Sequence, residues 1–259
     1  TTILACGVLL PGIQANSISL SMETAFNLSP AYTAAGLTVL LSFIIFGGLR
    51  RIAGFASAVV PFMAITYVAT ALVVMILNIE QLPAIFMLVI RSAFSLDSAF
   101  GGMFGVAVMM GVKRGLYSNE AGQGTGPHAS SAAAVSHPAK QGLVQAFSVY
   151  VDTLLVCSAT GFMLLVTGFY NVENPAGEAV YTGLAGVAAG PGYVQAAIES
   201  VIPGFGNIFV AVALFFFAFT TIVAYYYIAE TNVTYLTRSL DRPWMSTVLS
   251  VGATVSAMR

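Results

Sequence analysis

Apolar residues run through this chain in long blocks, and the polar residues that interrupt them fall at a few places. A membrane-spanning helix needs about 20 mostly apolar residues. On that measure the blocks predict spans over Ile3–Phe26, Tyr32–Leu49, Val59–Leu77, Leu143–Phe169 and Ile208–Ala229, with Met245–Met258 as the start of another. The first block is broken by Gln14, Asn16, Ser17, Ser19 and Ser21. Such residues face a bundle interior, as functional groups or as glue between helices. The second block ends at Arg50 and Arg51. The third puts Pro61 in its first turn, where a missing N–H is tolerated. Leu82–Phe94 is short and carries Arg91, which predicts an interfacial or re-entrant segment. Gly190–Ile202 reads as an external hairpin or short helix.

The sharpest departure from this pattern is Gly115–Pro127, GLYSNEAGQGTGP. It follows the small-residue segment Phe100–Tyr117 and precedes a candidate short helix, Pro127–Val135. Four glycines, a proline and Glu120 do not make a continuous apolar helix. In lipid every backbone N–H and C=O needs a partner, so irregular backbone persists there only against protein or a water-filled cavity. Two readings are open: a polar loop between spans, or a discontinuous helix of the kind that builds midplane sites in secondary transporters.

Composition sets the class. The chain is 58% hydrophobic and 7% charged, where soluble domains carry about 25% charged residues, and its mean hydropathy is +0.89. An all-α polytopic membrane protein is expected. A net charge of −1 offers no footprint for nucleic acid. Cys6 and Cys157 fit no metal or redox spacing and read as packing. His128 and His137 are too few for a histidine-rich metal site.

Loop charge adds an orientation. Arg50 and Arg51, His137 and Lys140, and Arg238 and Arg242 fall on one side if the first span runs outward; positive charge marks the cytoplasmic side. Glu23, Glu80, Asp97, Glu173, Glu178 and Glu199 fall opposite, with Arg91 the base among them. This arrangement needs the Gly115–Pro127 region to cross the membrane once, and so favours the discontinuous helix. The chain has no initiator Met, begins within a span and stops within another. It is expected to be an internal piece of a longer protein, a single transmembrane domain over residues 1–259.

The polar residues suggest what such a break does. Gly115, Gly122, Gly124 and Gly126 permit left-handed turns. Unwinding exposes N–H groups on one half-helix, suited to a carboxylate, and C=O groups on the other, suited to Na⁺ or an ammonium group. A small zwitterion plus a cation is the expected cargo. Ser118, Asn119 and Gln123 add side-chain oxygens of the type hard cations prefer, or else satisfy the unwound backbone. Lys113, Arg114 and Glu120 are costly at membrane depth. Either Glu120 pairs with a base, or the bases sit nearer an aqueous vestibule; a structural or gating role is expected. In Phe215–Tyr227, FFFAFTTIVAYYY, the hydroxyls of Thr220 and Thr221 either bond the preceding turn or offer oxygen to Na⁺. Tyr225 shares the face of Thr221 and is placed to wall a small pocket. Asp152 is an acid within a span: a functional candidate, or a group bonded to nearby hydroxyls.

GLYSNEAGQGTGPHASSAAAVSHPAKQGLV and VYVDTLLVCSATGFMLLVTG, with GIQANSIS and FAFTTIVAYYYIAE, resemble the alanine or glycine:cation symporters. The resemblance covers essentially the whole chain. It implies the leucine-transporter-type fold of two inverted five-helix repeats, with this chain matching the third to about the ninth core helix. The broken helix would be the sixth and Ile208–Ala229 the eighth. It further implies that Gln14, in GxQANS, faces substrate. Thr221 and Tyr225 would line the substrate site, with Tyr225 where the family more usually has Trp. The SNEAG stretch would be the unwound centre, so that Ser118, Asn119, Gly122, Gln123 and Gly124 contact substrate, and Thr220 and Thr221 lie on the helix that commonly ligates Na⁺. The first core helix, a major contributor to both sites, is absent. The implied activity is symport of alanine or glycine with Na⁺, or with protons, by alternating access in a bacterial or archaeal plasma membrane. Two rivals are weaker. An intramembrane hydrolase using Ser118 or Ser130 with His128 lacks the geometry, since residues two apart on a helix point different ways. A passive channel needs a continuous polar stripe, and here polar residues cluster at one depth.

Overall fold

The computed structural model describes residues 2–45, 49–93, 101–120, 122, 124–131, 133–173, 178–187 and 189–237. They are mostly helical, as expected of an integral membrane protein. Among the described residues, three helices are long and apolar enough to cross a bilayer by length and composition: Gly54–Leu77, Pro138–Thr167 and Gly206–Leu236. Gln123 and Met245–Met258 lie outside the described residues. The chain forms two compact units, one from residues 1–65, 127–133 and 207–259 and the other from 66–126 and 134–206.

In the first unit, α1 (Thr2–Leu4), a π-wound turn (Ala5–Leu9) and α2 (Leu10–Phe26) follow one another without a break. Asn27 ends α2 at φ 55°, and its N–H bonds the Glu23 carbonyl at 2.9 Å. That is a left-handed cap of the kind Asn tolerates. Pro30 starts α3 (Pro30–Ile45), where its missing N–H has no helical partner to lose. The third wall is α11 (Gly206–Thr237), 32 residues long. Among its buried residues, Ala218, Ile222, Tyr226, Ala229 and Val233 recur every three or four positions and form one face, with Phe219 and Val223 beside them. That face packs in one cluster with Ala15 and Ile18 of α2 and Leu37 and Leu41 of α3. Phe219 is its centre: fully buried, edge-on to Phe55 at 5.8 Å and stacked on Phe215 at 5.6 Å.

α4 (Leu49–Leu77) begins ten residues before the expected span, so Pro61 lies inside the helix and not in its first turn. Apolar content marks depth in lipid, whereas the helix continues through any residue that keeps its backbone bonded. Pro61 leaves the Ser57 carbonyl without its usual N–H donor.

In the second unit, a 3₁₀ turn (Ile79–Gln81) leads to α5 (Leu82–Ala93), whose 12 residues are about 18 Å long. That is too short to cross about 30 Å of hydrocarbon, as the sequence predicts. α6 (Gly101–Ser118) runs into the break, followed by α7 (Thr125–Ser130). α7 starts two residues earlier and ends five earlier than the expected Pro127–Val135. α8 (Pro138–Tyr150), a π-wound segment (Val151–Cys157) and α9 (Ser158–Thr167) form one long span. The Tyr67 and Thr160 hydroxyls meet at 2.7 Å and tie α4 to α9. Gly168, at φ 73°, closes α9.

A short hairpin beyond Gly168 departs from the expected all-helical chain. β1 (Asn171–Glu173) and β2 (Ala179–Thr182) run antiparallel, pairing Asn171 with Thr182 and Val172 with Tyr181. Strands of three and four residues are too short to print an alternation in sequence. The Asn171 amide holds the hairpin to the next helix and its approach: it accepts from Leu184 N–H at 2.9 Å and donates to Leu184 O at 2.8 Å and Tyr193 Oη at 2.9 Å. Tyr193 lies on α10 (Pro191–Val201), the short helix among the two forms expected of Gly190–Ile202.

Candidate functional site

The break after α6 is built by backbone the sequence only half reveals. Gly122 and Gly124 adopt φ of 77° and 81°, as their lack of a Cβ permits. Gly115 stays within α6 and Gly126 within α7, so those two are not turn residues, contrary to expectation. Glu120 instead adopts φ 53°, a left-handed conformation that is uncommon for a side-chain-bearing residue. Its carboxylate accepts from the Thr125 hydroxyl at 2.7 Å. The acid thus clips one side of the break to the other through a neutral donor. Lys113 and Arg114 are exposed and neither is the partner of Glu120.

Across from the break lies the π-wound segment. The last hydroxyl of α6, Ser118 Oγ, donates to Asp152 Oδ2 at 2.6 Å. Asn119 Nδ2 donates to the Gly115 carbonyl at 3.0 Å and approaches Thr153 Oγ1 at 3.1 Å, whose own hydroxyl lies 3.2 Å from Asn119 Oδ1. Asp152 is therefore bonded to a hydroxyl, one of the two readings its sequence position left open. Cys157 joins the same group, with Sγ 3.9 Å from Asp152 Oδ2 and 3.7 Å from Ser118 Oγ, and it is exposed. The packing role expected of both cysteines holds for Cys6, which is 1% exposed, but not for Cys157. Asp152 and Cys157 are five apart. Residues at that interval align where the helix makes i→i+5 bonds, and such π-wound segments concentrate at functional sites. Carboxylate, hydroxyl and amide oxygens here form a donor set for a hard cation or an ammonium group.

In the first unit, Thr220 and Thr221 each donate to the same carbonyl, Phe217 O, at 2.9 Å. Their protons are committed to the helix, while each oxygen keeps lone-pair capacity to accept or ligate. Tyr225 is 7% exposed and belongs to the core cluster with Phe219 and Ile222. Gln14 is half-buried beside the core residue Ala15 and has no hydrogen-bond partner among the described residues. A polar side chain in that position has capacity for a ligand or water. Gln14, Thr220, Thr221 and Tyr225 belong to one unit, and Ser118, Asn119, Gly122 and Gly124 to the other.

Residues that sequence reasoning passed over are Thr125, Thr153 and Glu230, and it read Cys157 as packing alone. Glu230 sits half-buried in α11 and is hydrogen-bonded by Tyr226 one turn before it. An acid four residues after a tyrosine in an apolar helix was the available signal. For Thr125, Thr153 and Cys157 no local signal existed, because each acquires its partner through the fold.

Comparison with known proteins adds a family. The model described as the sodium:alanine symporter family matches residues 1–258. A putative sodium/proton-dependent alanine carrier protein of Bacillus subtilis is 60% identical over 242 residues, covering 93% of this chain and 50% of that protein. A sodium/proton-dependent alanine carrier protein of Bacillus sp. strain PS3 is 57% identical over 241 residues, covering 93% of this chain and 54% of that protein. A sodium/alanine symporter of Methanococcus maripaludis is 34% identical over 224 residues, covering 86% and 47%. The chain spans about half the length of these relatives.

Proposed function

The chain belongs to the sodium:alanine symporter family, and we propose that the protein containing it carries a small neutral amino acid, alanine or glycine, into the cell together with Na⁺. Its relatives are named as carriers and symporters and not as enzymes. The observation that carries the reading is the break itself: α6 ends at Ser118 and helix resumes at Thr125, with left-handed Gly122 and Gly124 between them and Ser118 bonded to Asp152 of the apolar helix Pro138–Thr167. Discontinuous helices of this kind hold zwitterions and cations at the bilayer midplane.

In this reading the exposed backbone around Gly122 and Gly124 receives the substrate carboxylate. Ser118 and Asn119 border it, as does Gln123. Gln14, Thr221 and Tyr225 are the further substrate contacts, and the oxygens of Thr220 and Thr221 ligate Na⁺. The fold is a partial inverted-repeat bundle in which α6 and α7 form the broken sixth core helix and α11 the eighth. Alternating access proceeds by rocking one helix bundle about the site in a bacterial or archaeal plasma membrane. The second reading replaces Na⁺ with H⁺; the names of the two Bacillus relatives include both ions.

The test is alanine uptake by the full-length protein in proteoliposomes, with and without an inward Na⁺ gradient. Uptake driven by that gradient is the expected result. Uptake that follows a pH gradient and ignores Na⁺ moves the coupling to protons. No uptake of alanine or glycine under either gradient overturns the substrate assignment.

A further inference from the structure

A second concave site lies in the second unit and shares no lining residue with the helix break. It is a cavity of about 350 Å³, within the roughly 300–1,000 Å³ range of small-molecule sites. Its walls are the C-terminal ends of three helices: α4 through Asn78, α9 through Thr167 and Gly168, and α10 through Ser200. Each helix C-terminus carries partial negative charge from its last carbonyls, of which Gly168 O already accepts from Tyr170 N–H at 3.0 Å and Asn78 O from Gln81 N–H at 3.0 Å. Three of them converging make the cavity attractive to a cation, and no basic residue among the described residues lines it.

The side chains add the complementary half. Asn78 donates its Nδ2 to the Val74 carbonyl at 2.9 Å, which leaves Oδ1 as an acceptor. Tyr181 is committed, donating to Gly168 O at 3.1 Å. Gln81 and the Tyr170 hydroxyl line the same space with no side-chain hydrogen bond among the described residues, so both retain donors. Burial, with Tyr181 alongside, raises the Tyr170 phenol above its ordinary value and keeps it a neutral donor at physiological pH. The lining thus combines helix-end acceptors with neutral donors, the two kinds of group that an α-ammonium and an α-carboxylate need.

We propose that this cavity is a second binding site for a small free amino acid, holding its ammonium group at the converged ends of α4, α9 and α10. The proposal rests on the amino-acid reading above and deepens it. By the loop charges the cavity faces outward, at the end of α9 opposite Lys140. It therefore collects substrate from the external medium before transfer to the break. The volume and the neutral donors favour an amino acid over a bare inorganic cation, which needs a tight shell of oxygens and no donor.

The experiment is equilibrium dialysis of radiolabelled alanine against the purified full-length protein in saturating Na⁺, beside Ser200→Lys and Gln81→Leu. Ser200→Lys places a competing ammonium in the cavity. The wild-type protein is expected to bind two alanines per chain and Ser200→Lys one. Gln81→Leu is expected to weaken one of the two sites by about tenfold, the loss of one hydrogen bond to a charged group. A wild-type stoichiometry of one, with Na⁺-driven uptake intact, overturns this proposal and leaves the transport reading standing. Two undisturbed sites in Ser200→Lys also overturn it. Loss of radiolabelled Na⁺ binding in Ser200→Lys with alanine binding unchanged assigns the cavity to the inorganic cation and rejects the amino acid. Absence of both alanine binding and uptake in the wild type overturns the amino-acid reading itself.

Discussion

Ser118, the last residue of α6, donates its hydroxyl to Asp152 Oδ2 at 2.6 Å, joining positions 34 apart in the chain. The bond fixes the end of the broken helix against the π-wound part of the next span. It is a charge-assisted contact, worth about 1.5–3 kcal/mol when both partners are in place. Ser118→Ala is expected to raise the half-saturating Na⁺ or alanine concentration for uptake by about tenfold. An unchanged concentration dependence, with normal expression, would remove the Ser118–Asp152 pair from the transport site.

Cys157 offers a direct view of the same group. Its thiol is exposed and lies 3.9 Å from Asp152 Oδ2. A positively charged methanethiosulfonate reagent is expected to label Cys157 in a variant of the full-length protein with no other cysteine. Alanine and Na⁺ together are expected to slow that labelling. Equal labelling rates with and without both cargoes would place the substrate elsewhere.

The break depends on glycine where the backbone turns left-handed. Gly124→Leu puts a side chain at φ 81°, at a cost of about 1–2 kcal/mol, and fills space next to the exposed backbone. Transport is expected to be lost while the protein remains in the membrane. A fully active Gly124→Leu carrier would contradict an unwound, substrate-facing centre.

Thr221→Val is an unusually clean substitution, because Thr220 already donates to the same Phe217 carbonyl. The stability loss is expected to stay under about 1 kcal/mol, so a functional change can be read as lost ligation. Na⁺ dependence of uptake is the readout. If Thr221→Val keeps wild-type Na⁺ and alanine kinetics, Thr221 is simply bonded to its own helix.

Much of the fold is legible in the chain. The run of apolar residues that carries Phe219 and Ile222 marks α11, and Gly122 and Gly124 mark the place where a helix gives way. Pro61 shows where such reading slips: hydropathy located an apolar part of α4 and missed ten residues of helix before it. Gly115 and Gly126 show the converse, since glycine permits a turn without requiring one. Glu120 occupies a left-handed backbone that its residue type argues against, held there with its carboxylate on Thr125.

Run length, composition and loop charge are properties of the chain in one dimension. They were enough to determine a multi-span helical membrane protein and an interruption within Gly115–Pro127, while the resemblance to a family rested on motifs such as GLYSNEAGQGTGP and GIQANSIS. The bond between Ser118 and Asp152, the exposure of Cys157 and the meeting of three helix ends at Asn78, Gly168 and Ser200 were decided by tertiary structure alone. Each depends on which residue a distant segment brings within about 3–4 Å, and the π winding at Val151–Cys157 shifts that register by one residue. Local propensity carries no record of such a shift, because it depends on which backbone hydrogen bonds form and not on residue type.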